Sequence, residues 1–429
     1  MEEASILDIG RKFIESDDIK SYEYNEYLPT SGSNLNIPGT ITIHIECQDE
    51  FYHPRRSYLL IEGDLLKKAD ETRFDGENIT LSNNGIWHLF SNFKYELGGT
   101  EIENINNPGV AGVMMGLAKF PYTFAVGTGM AQCWAPETMD TTWADRAFQK
   151  RKEYILTKSE PKGSFSFILE LENQSGFVED YDTVVYGMRH KITLVRKGDD
   201  DAILKAPNGV EDGKIKLTKI AWIMPRVHAS DVKKFALYRM IENKDVFDVA
   251  FRMRQCNVAE IPKDVTTFDW RLGVRSLPEK PRHIIIALQH NRRGKQESNP
   301  SLFDHADLSQ VSVVLNDTKY PARDIICDFK KHKYVEYYKM FVDFSREYYG
   351  LDPLTVGNWV DIITYKEEYP IFYIDVSKQS ERLNQGVVDI VLRLRFSKET
   401  PEGLQAHALV ISDRRMKFQS DGRKMNIIQ

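Results

Sequence analysis

From Pro38 onward, apolar and polar residues alternate with a period of two. Ile41, Ile43 and Ile45 alternate with Thr42, His44 and Glu46, which predicts a strand that sets its isoleucines on one sheet face. Ser57–Leu65, the Phe165/Phe167/Leu169/Leu171 alternation, Thr183–Val195 and Ile215–Met224 predict further strands rich in β-branched and aromatic residues. The pattern resumes with Val249–Arg254, Thr266–Val274, Arg282–Gln289, Val311–Leu315, Ile371–Val376, Val387–Phe396 and Ala406–Ser412. A long loop over 121–163 holds Trp134 and Trp143.

Helical spacing is rarer. In residues 229–243, Ser230 suits an N-cap, and Val232, Phe235, Ala236 and Met240 share one face. Two further helices each follow a hairpin. The first hairpin turns at Gly98-Gly99, and Asn107 and Pro108 open its helix with Val110, Met114 and Leu117 on the packing face. The second turns at Asn316-Asp317. Its helix spans about Lys331 to Tyr349, with a Tyr334/Tyr338/Phe341/Phe344 stripe and Gly350 as C-cap. A hairpin, helix, loop and three strands thus recur in the same order, which predicts an internal structural repeat.

The expected fold is all-β with short helices, as two tandem jelly-roll β-sandwiches. Residues 1–36 are read as an N-terminal arm, in which Ile6, Ile9, Phe13 and Ile14 line one face of a short helix. Residues 37–228 form the first jelly roll, and 229–429 the second, opening with the linker helix 229–243. A chain of 429 residues supports two such cores.

Composition narrows the function. Hydrophobic residues make up 41% and charged residues 28% of the chain, and the net charge is −6, so no global basic field points to nucleic acid. The longest aliphatic run, Ile284–Leu288, is far short of a membrane span. The opening Met1-Glu2-Glu3 has no signal-peptide core, so synthesis in a cytoplasm or nucleus without secretion is expected. Cys47, Cys133, Cys256 and Cys327 show no CxxC spacing and are expected as buried thiols.

No catalytic, cofactor-binding or metal-binding residue is assigned. The ten histidines include no HxH or HExxH pair. Gly127-Thr128-Gly129 has Gln132 where a dinucleotide loop needs glycine, and Gly209–Lys214 fails the phosphate-loop spacing. No GxSxG elbow occurs. Asp199-Asp200-Asp201 is read as a solvated turn rather than a calcium loop. The basic runs Arg292-Arg293-Gly294-Lys295 and Arg414-Arg415 with Lys417 are read as loop charges or intersubunit pairs, with phosphate contact as the alternative. Trp134 and Trp143 beside Asp140 and Asp145 are the only candidate sugar site, and they define the competing reading of a carbohydrate-binding or glycan-processing sandwich.

Four segments carry a resemblance. They are Phe93-Lys94-Tyr95-Glu96-Leu97-Gly98-Gly99-Thr100-Glu101-Ile102, Leu217-Thr218-Lys219-Ile220-Ala221-Trp222-Ile223-Met224-Pro225, Glu279-Lys280-Pro281-Arg282 running into Ala287-Leu288-Gln289, and Phe303-Asp304-His305. In order and spread they resemble the double jelly-roll major capsid proteins of Polinton-like elements and viruses, within the wider adenovirus and tectivirus capsid lineage. Gly98 and Arg226 stand where that family's pattern has Asn and His. The resemblance implies a non-enzymatic shell subunit. It implies pseudo-hexagonal homotrimers that pack with neighbouring trimers, a penton and minor capsid proteins into an icosahedral virion around double-stranded DNA. It fits an active virus and a domesticated copy equally.

Overall fold

The strand pattern folds into two sandwiches joined by one helix. The computed structural model describes residues 18–31, 34–46, 50–138, 142–207, 209–272, 280–352, 360–378, 388–421 and 425–428. The first half runs through β1 (Ile19–Tyr27), β2 (Gly39–Ile45), β3 (Phe51–Tyr52), β4 (Tyr58–Lys67), β5 (Ile79–Leu81), α1 (Gly85–His88), β6 (Phe90–Leu97) and β7 (Thr100–Asn106). It continues through α2 (Pro108–Lys119), α3 (Tyr122–Val126), α4 (Arg146–Lys152), β8 (Ser164–Glu170), α5 (Leu171–Gln174), α6 (Gly176–Asp180), β9 (Val185–Tyr186), β10 (His190–Arg196), β11 (Ile203–Lys205) and β12 (Gly213–Ala229). Helix α7 (Asp231–Glu242) follows. The second half holds β13 (Val246–Glu260), β14 (Thr267–Leu272), β15 (Lys280–His290), β16 (Leu308–Leu315), β17 (Thr318–Tyr320), α8 (Val335–Tyr349), α9 (Ile362–Glu367), β18 (Ile371–Asp375), β19 (Ile390–Phe396), β20 (Leu404–Ser420) and β21 (Met425–Ile428).

Each half pairs two antiparallel sheets. The first half stacks β8-β4-β12-β3-β9, with β1 added along β12, on β2-β10-β6-β7. Tyr95 of β6 and Trp222 of β12 meet edge-on across this sandwich, 6.2 Å between ring centroids. The second half has β13-β20-β15-β18, with β21 added along β20, and β14-β19-β16-β17. The predicted alternation is real: Ile41, Ile43 and Ile45 are buried, as are Phe165, Phe167 and Leu169. The hairpins close as expected, with Leu97 opposite Thr100 and Leu315 opposite Thr318. Gly98 and Gly99 both take positive φ, 58° and 88°, and Asn316 does so in the second turn.

Several elements differ from the sequence reading, for physical reasons. Part of the segment read as a peripheral arm is strand β1, which pairs with β12 from Ile19 opposite Ala229 to Tyr27 opposite Trp222. Its exposed polar and tyrosine side chains give no apolar alternation to read. Farther along the same edge, the Asn36 side chain stands in for a strand: Leu217 N–H donates to its Oδ1 at 2.6 Å, and its Nδ2 donates to the Leu217 carbonyl at 3.0 Å. The 121–163 loop contains α3, α4 and short 3-10 turns. A fully buried Arg151–Glu137 ion pair anchors it, with Arg151 Nε also donating to the Leu81 carbonyl at 2.8 Å. The proposed helix at Ile6–Ile14 lies outside the described residues.

The two helical stripes also shifted. In α8 the buried face is Tyr337, Phe341, Phe344 and Tyr348, while Tyr338 is half-buried. Tyr337 is held because its hydroxyl satisfies the Val311 and Ile325 backbones. Helix α7 is capped by Ser230 as expected, but it buries Ile241 and half-buries Leu237 and Tyr238. The Val232/Phe235/Met240 stripe faces outward. No helix among the described residues is long and apolar enough to cross a membrane.

Candidate functional site

The most elaborate side-chain arrangement is the seam between the two sandwiches. Helix α6 ends the first sandwich's side of it, and β13 forms the other side. Ser175 caps α6, and its hydroxyl also donates to Glu103 of β7 at 2.5 Å. The Glu103 carboxylate further accepts the backbone N–H of Arg254 at 2.7 Å and of Gly176 at 3.2 Å. Burial pushes the Glu103 carboxyl above its ordinary range, against the pull of Arg254 and these donors. The Arg254 guanidinium, itself buried, pairs with Glu179 and donates to the Asn173 carbonyl at 3.0 Å. Lys119 closes the other side of Glu179 at 2.9 Å. Beside them, Arg252 grips Asp180 through Nε at 2.9 Å and lies 3.8 Å over the Tyr348 ring.

Backbone contact here is very close. A Cβ on Gly176 would sit 1.8 Å from the Arg252 carbonyl oxygen. Gly176→Ala should therefore push α6 off β13 and cost about 3 kcal/mol, the upper range for overpacking. Urea unfolding would measure this, and a loss below about 1 kcal/mol would mean that the seam gives way freely.

Most of the charged residues singled out in the sequence belong to the same seam. Each carboxylate of Asp199-Asp200-Asp201 is occupied. Asp199 pairs with Arg196 and accepts the Ile215 N–H, Asp200 accepts from Gln296, and Asp201 pairs with Lys197 and accepts the Gly294 N–H at 2.7 Å. The turn is thus a staple to the second sandwich rather than a solvated loop. Arg292 forks onto Asp304 and Arg293 donates to Asn107, so these residues spend their charge inside the chain. Gln296 brackets Gly213 through both its amide atoms, at 2.7 and 2.8 Å. Arg414 is buried and reaches the Ile102 carbonyl, whereas Arg415 and Lys417 are exposed. Tyr369 and Tyr373 each donate across the seam at 2.8 Å, to the carbonyls of Glu137 and Met114.

Candidate chemistry is otherwise sparse. Trp134 is buried beneath α2, where a Cβ on Gly116 would strike its ring at 2.4 Å. Asp145 is buried as the N-cap of α4, accepting the Ala147 N–H at 2.7 Å. These two are structural and form no open sugar platform; Asp140 lies outside the described residues. Cys133, Cys256 and Cys327 are buried, and burial pushes their thiols up to about 11, 12 and 12 respectively, away from nucleophilic use. Cys47 lies outside the described residues. Among the described residues, no three or more His, Cys, Asp or Glu side chains gather where they could hold a metal ion. A cavity of 210 Å³ under α8, lined by His283, Asp343, Glu347 and Asp375, is smaller than ordinary ligand sites.

Three histidines are wholly buried. His190 shares a 2.6 Å hydrogen bond with Tyr95, and its Nε2 has no partner. Neither ring nitrogen of His407 is hydrogen-bonded. His88 meets Ser301 across the seam at 3.3 Å. Burial pushes all three down to about 3, helped at His88 and His407 by the nearby Lys197 and Arg293 charges.

A double jelly roll-like domain model matches residues 143–416, more than half of the chain and both sides of the seam. The chain belongs to the double jelly roll-like domain family. Solved structures place its double jelly roll among similar whole-chain folds. It matches a chain of the Sputnik virophage cryo-EM structure with a TM-score of 0.63 at 9% identity, covering 100% of this chain and 92% of that one. The Faustovirus major capsid protein matches with a TM-score of 0.54 at 9% identity, over 96% and 92% of the two chains. The mavirus major capsid protein matches with 0.51 at 11% identity, over 97% and 91%. No curated protein sequence matches this double jelly-roll chain.

Proposed function

We propose that this chain is a viral or virus-derived major capsid protein, structural rather than catalytic. The observation that carries the reading is the double jelly roll running the length of the chain, its two sandwiches welded by a seam of buried ion pairs and hydrogen bonds. Such a seam makes one rigid tile from two sandwiches, as a shell subunit requires. The similar folds in the Faustovirus and mavirus major capsid proteins support the same role. On this reading residues 37–228 and 229–429 are the two rolls and the subunit forms a pseudo-hexagonal homotrimer. Trimers pack with one another, with pentons and with minor proteins around double-stranded DNA, after synthesis in the host cytoplasm or nucleus. The four quoted segments favour the Polinton-like branch. Of the basic runs, Lys295, Arg415 and Lys417 remain exposed candidates for phosphate contact, whereas Arg292, Arg293 and Arg414 are engaged internally.

Size-exclusion chromatography with light scattering and negative-stain microscopy tests this directly. Three copies of 49.6 kDa should elute near ~150 kDa and show a hexagonal outline. A stable monomer that binds glycans would sink the reading.

A further inference from the structure

Beside Glu179, the seam holds a lysine against a carboxamide. Lys119 ends α2, and its Nζ donates to the Asn173 side-chain Oδ1 at 2.8 Å and to Glu179 Oε1 at 2.9 Å. An ion pair with Glu179 alone would not need Asn173. The amide is held in one orientation: its Nδ2 donates to Gln132 Oε1 at 2.9 Å and to Glu170 Oε2 at 3.3 Å. An ammonium only donates and a carboxylate only accepts, so the amide carbonyl must face Lys119. With a C=O bond of about 1.2 Å, Nζ lies within about 4 Å of the Asn173 Cγ.

The surroundings suit a reaction between the two. Side-chain exposure is 22% at Lys119 and 9% at Glu179. The Tyr349 and Phe120 rings lie 5.6 and 5.9 Å from Nζ and limit the access of water. Arg254 steadies both partners of the lysine, by pairing with Glu179 and by donating to the Asn173 backbone carbonyl at 3.0 Å. Groups so held, once aligned, react as if at concentrations of about 10⁵ M or more.

We propose that Lys119 and Asn173 join in an autocatalytic isopeptide bond, with Glu179 as the general base. Glu179 takes one proton from Nζ, and the freed lone pair attacks Cγ. As the Cγ–Nδ2 bond breaks, Nδ2 takes a second proton from Nζ. The ammonia formed collects the first proton from Glu179 and departs as ammonium. The carboxylate is restored, charge is conserved and no other reactant is needed. The step occurs once per chain, as self-modification rather than turnover, and it is independent of the capsid reading. The bond joins positions 54 residues apart, closes the span that contains the 121–163 loop and braces α2 against α5 beside the seam.

Mass spectrometry of the full chain tests it. The denatured protein should weigh about 17 Da less than its sequence, the mass of one ammonia. A tryptic digest should contain residues 95–146 joined to residues 163–189, with no cleavage after Lys119. Lys119→Arg and Glu179→Gln should both keep their full mass, with near-ultraviolet circular dichroism showing that they fold. The native digest decides the bond whether or not the variants fold. Full sequence mass in the native chain after prolonged incubation at neutral pH overturns the proposal. So does a loss of ammonia confined to one linear peptide, which assigns it to a backbone succinimide. A cross-link that forms as fast in folded Glu179→Gln overturns Glu179 as the base.

Discussion

Replacing Arg254 with alanine is expected to cost about 3 to 5 kcal/mol of stability, the loss seen when one partner of a buried ion pair is removed. The guanidinium is the cation between Glu179 and the Asn173 carbonyl, and it lowers the cost of burying Glu103. Lys119 still reaches Glu179 in the variant, but from the rim. Arg254→Met, which fills most of the volume without the charge, should lose nearly as much, which separates electrostatics from packing. The pH dependence gives a second check. Burial already holds the Glu103 carboxyl high, and removing a cation raises it further. The folded variant then binds a proton more readily than the native chain, so the deficit should shrink as pH falls from 8 to 5. Guanidinium unfolding at both pH values reads this. A deficit under about 1 kcal/mol at pH 8 would mean the seam is not the structural weld described above.

Acid should unfold the protein through His88, His190 and His407. Each binds its proton near 6.5 when unfolded and only near 3 when folded. Between those values the unfolded chain holds the extra protons, so folding stability falls as pH drops through that window. Each histidine contributes about 1.4 kcal/mol per pH unit, so the three together remove roughly 4 kcal/mol for each unit below about 6. Urea midpoints at pH 7, 6 and 5 should fall steeply. His407→Met removes one titrating group from a site where neither ring nitrogen is hydrogen-bonded. It should reduce proton uptake on unfolding at pH 5 by about one. Stability that stays flat from pH 7 to 5 would contradict the burial of these rings.

Much of the fold was legible because strand alternation is local. Ile41, Ile43 and Ile45 could be assigned to one face without knowing what they touch, and Gly98-Gly99 signals its turn through backbone freedom alone. Legibility failed where a side chain's partner is remote. Glu103 looks like a solvent-facing position in a hairpin strand. It is buried because β13, 151 positions further on, lies against it. A bulge between Tyr95 and Glu96 also breaks the parity of β7 and leaves Ile102 and Glu103 both buried. The same distance hides the roles of Asp199, Asp200, Asp201, Arg292 and Arg293, which read as surface charge and act as staples. In α7 the spacing was right and the facing was not, since periodicity locates a stripe without saying what it meets. The seam, the nearest thing to a functional site, was therefore the least visible part of the molecule.

Strands β12 and β20 each run 17 residues, from Gly213 to Ala229 and from Leu404 to Ser420. At 3.4 Å per residue each spans about 55 Å, roughly three times an ordinary strand. Both are flanked by partners along much of their length: β4 and β1 for β12, and β13, β15 and β21 for β20. A pull along such a strand loads its ladder of hydrogen bonds in shear, many at once. A pull across the sheet would unzip them one by one. Each sandwich thus contains a tension rod, and each should be stiffest along the axis of its own long strand and most compliant at right angles to it.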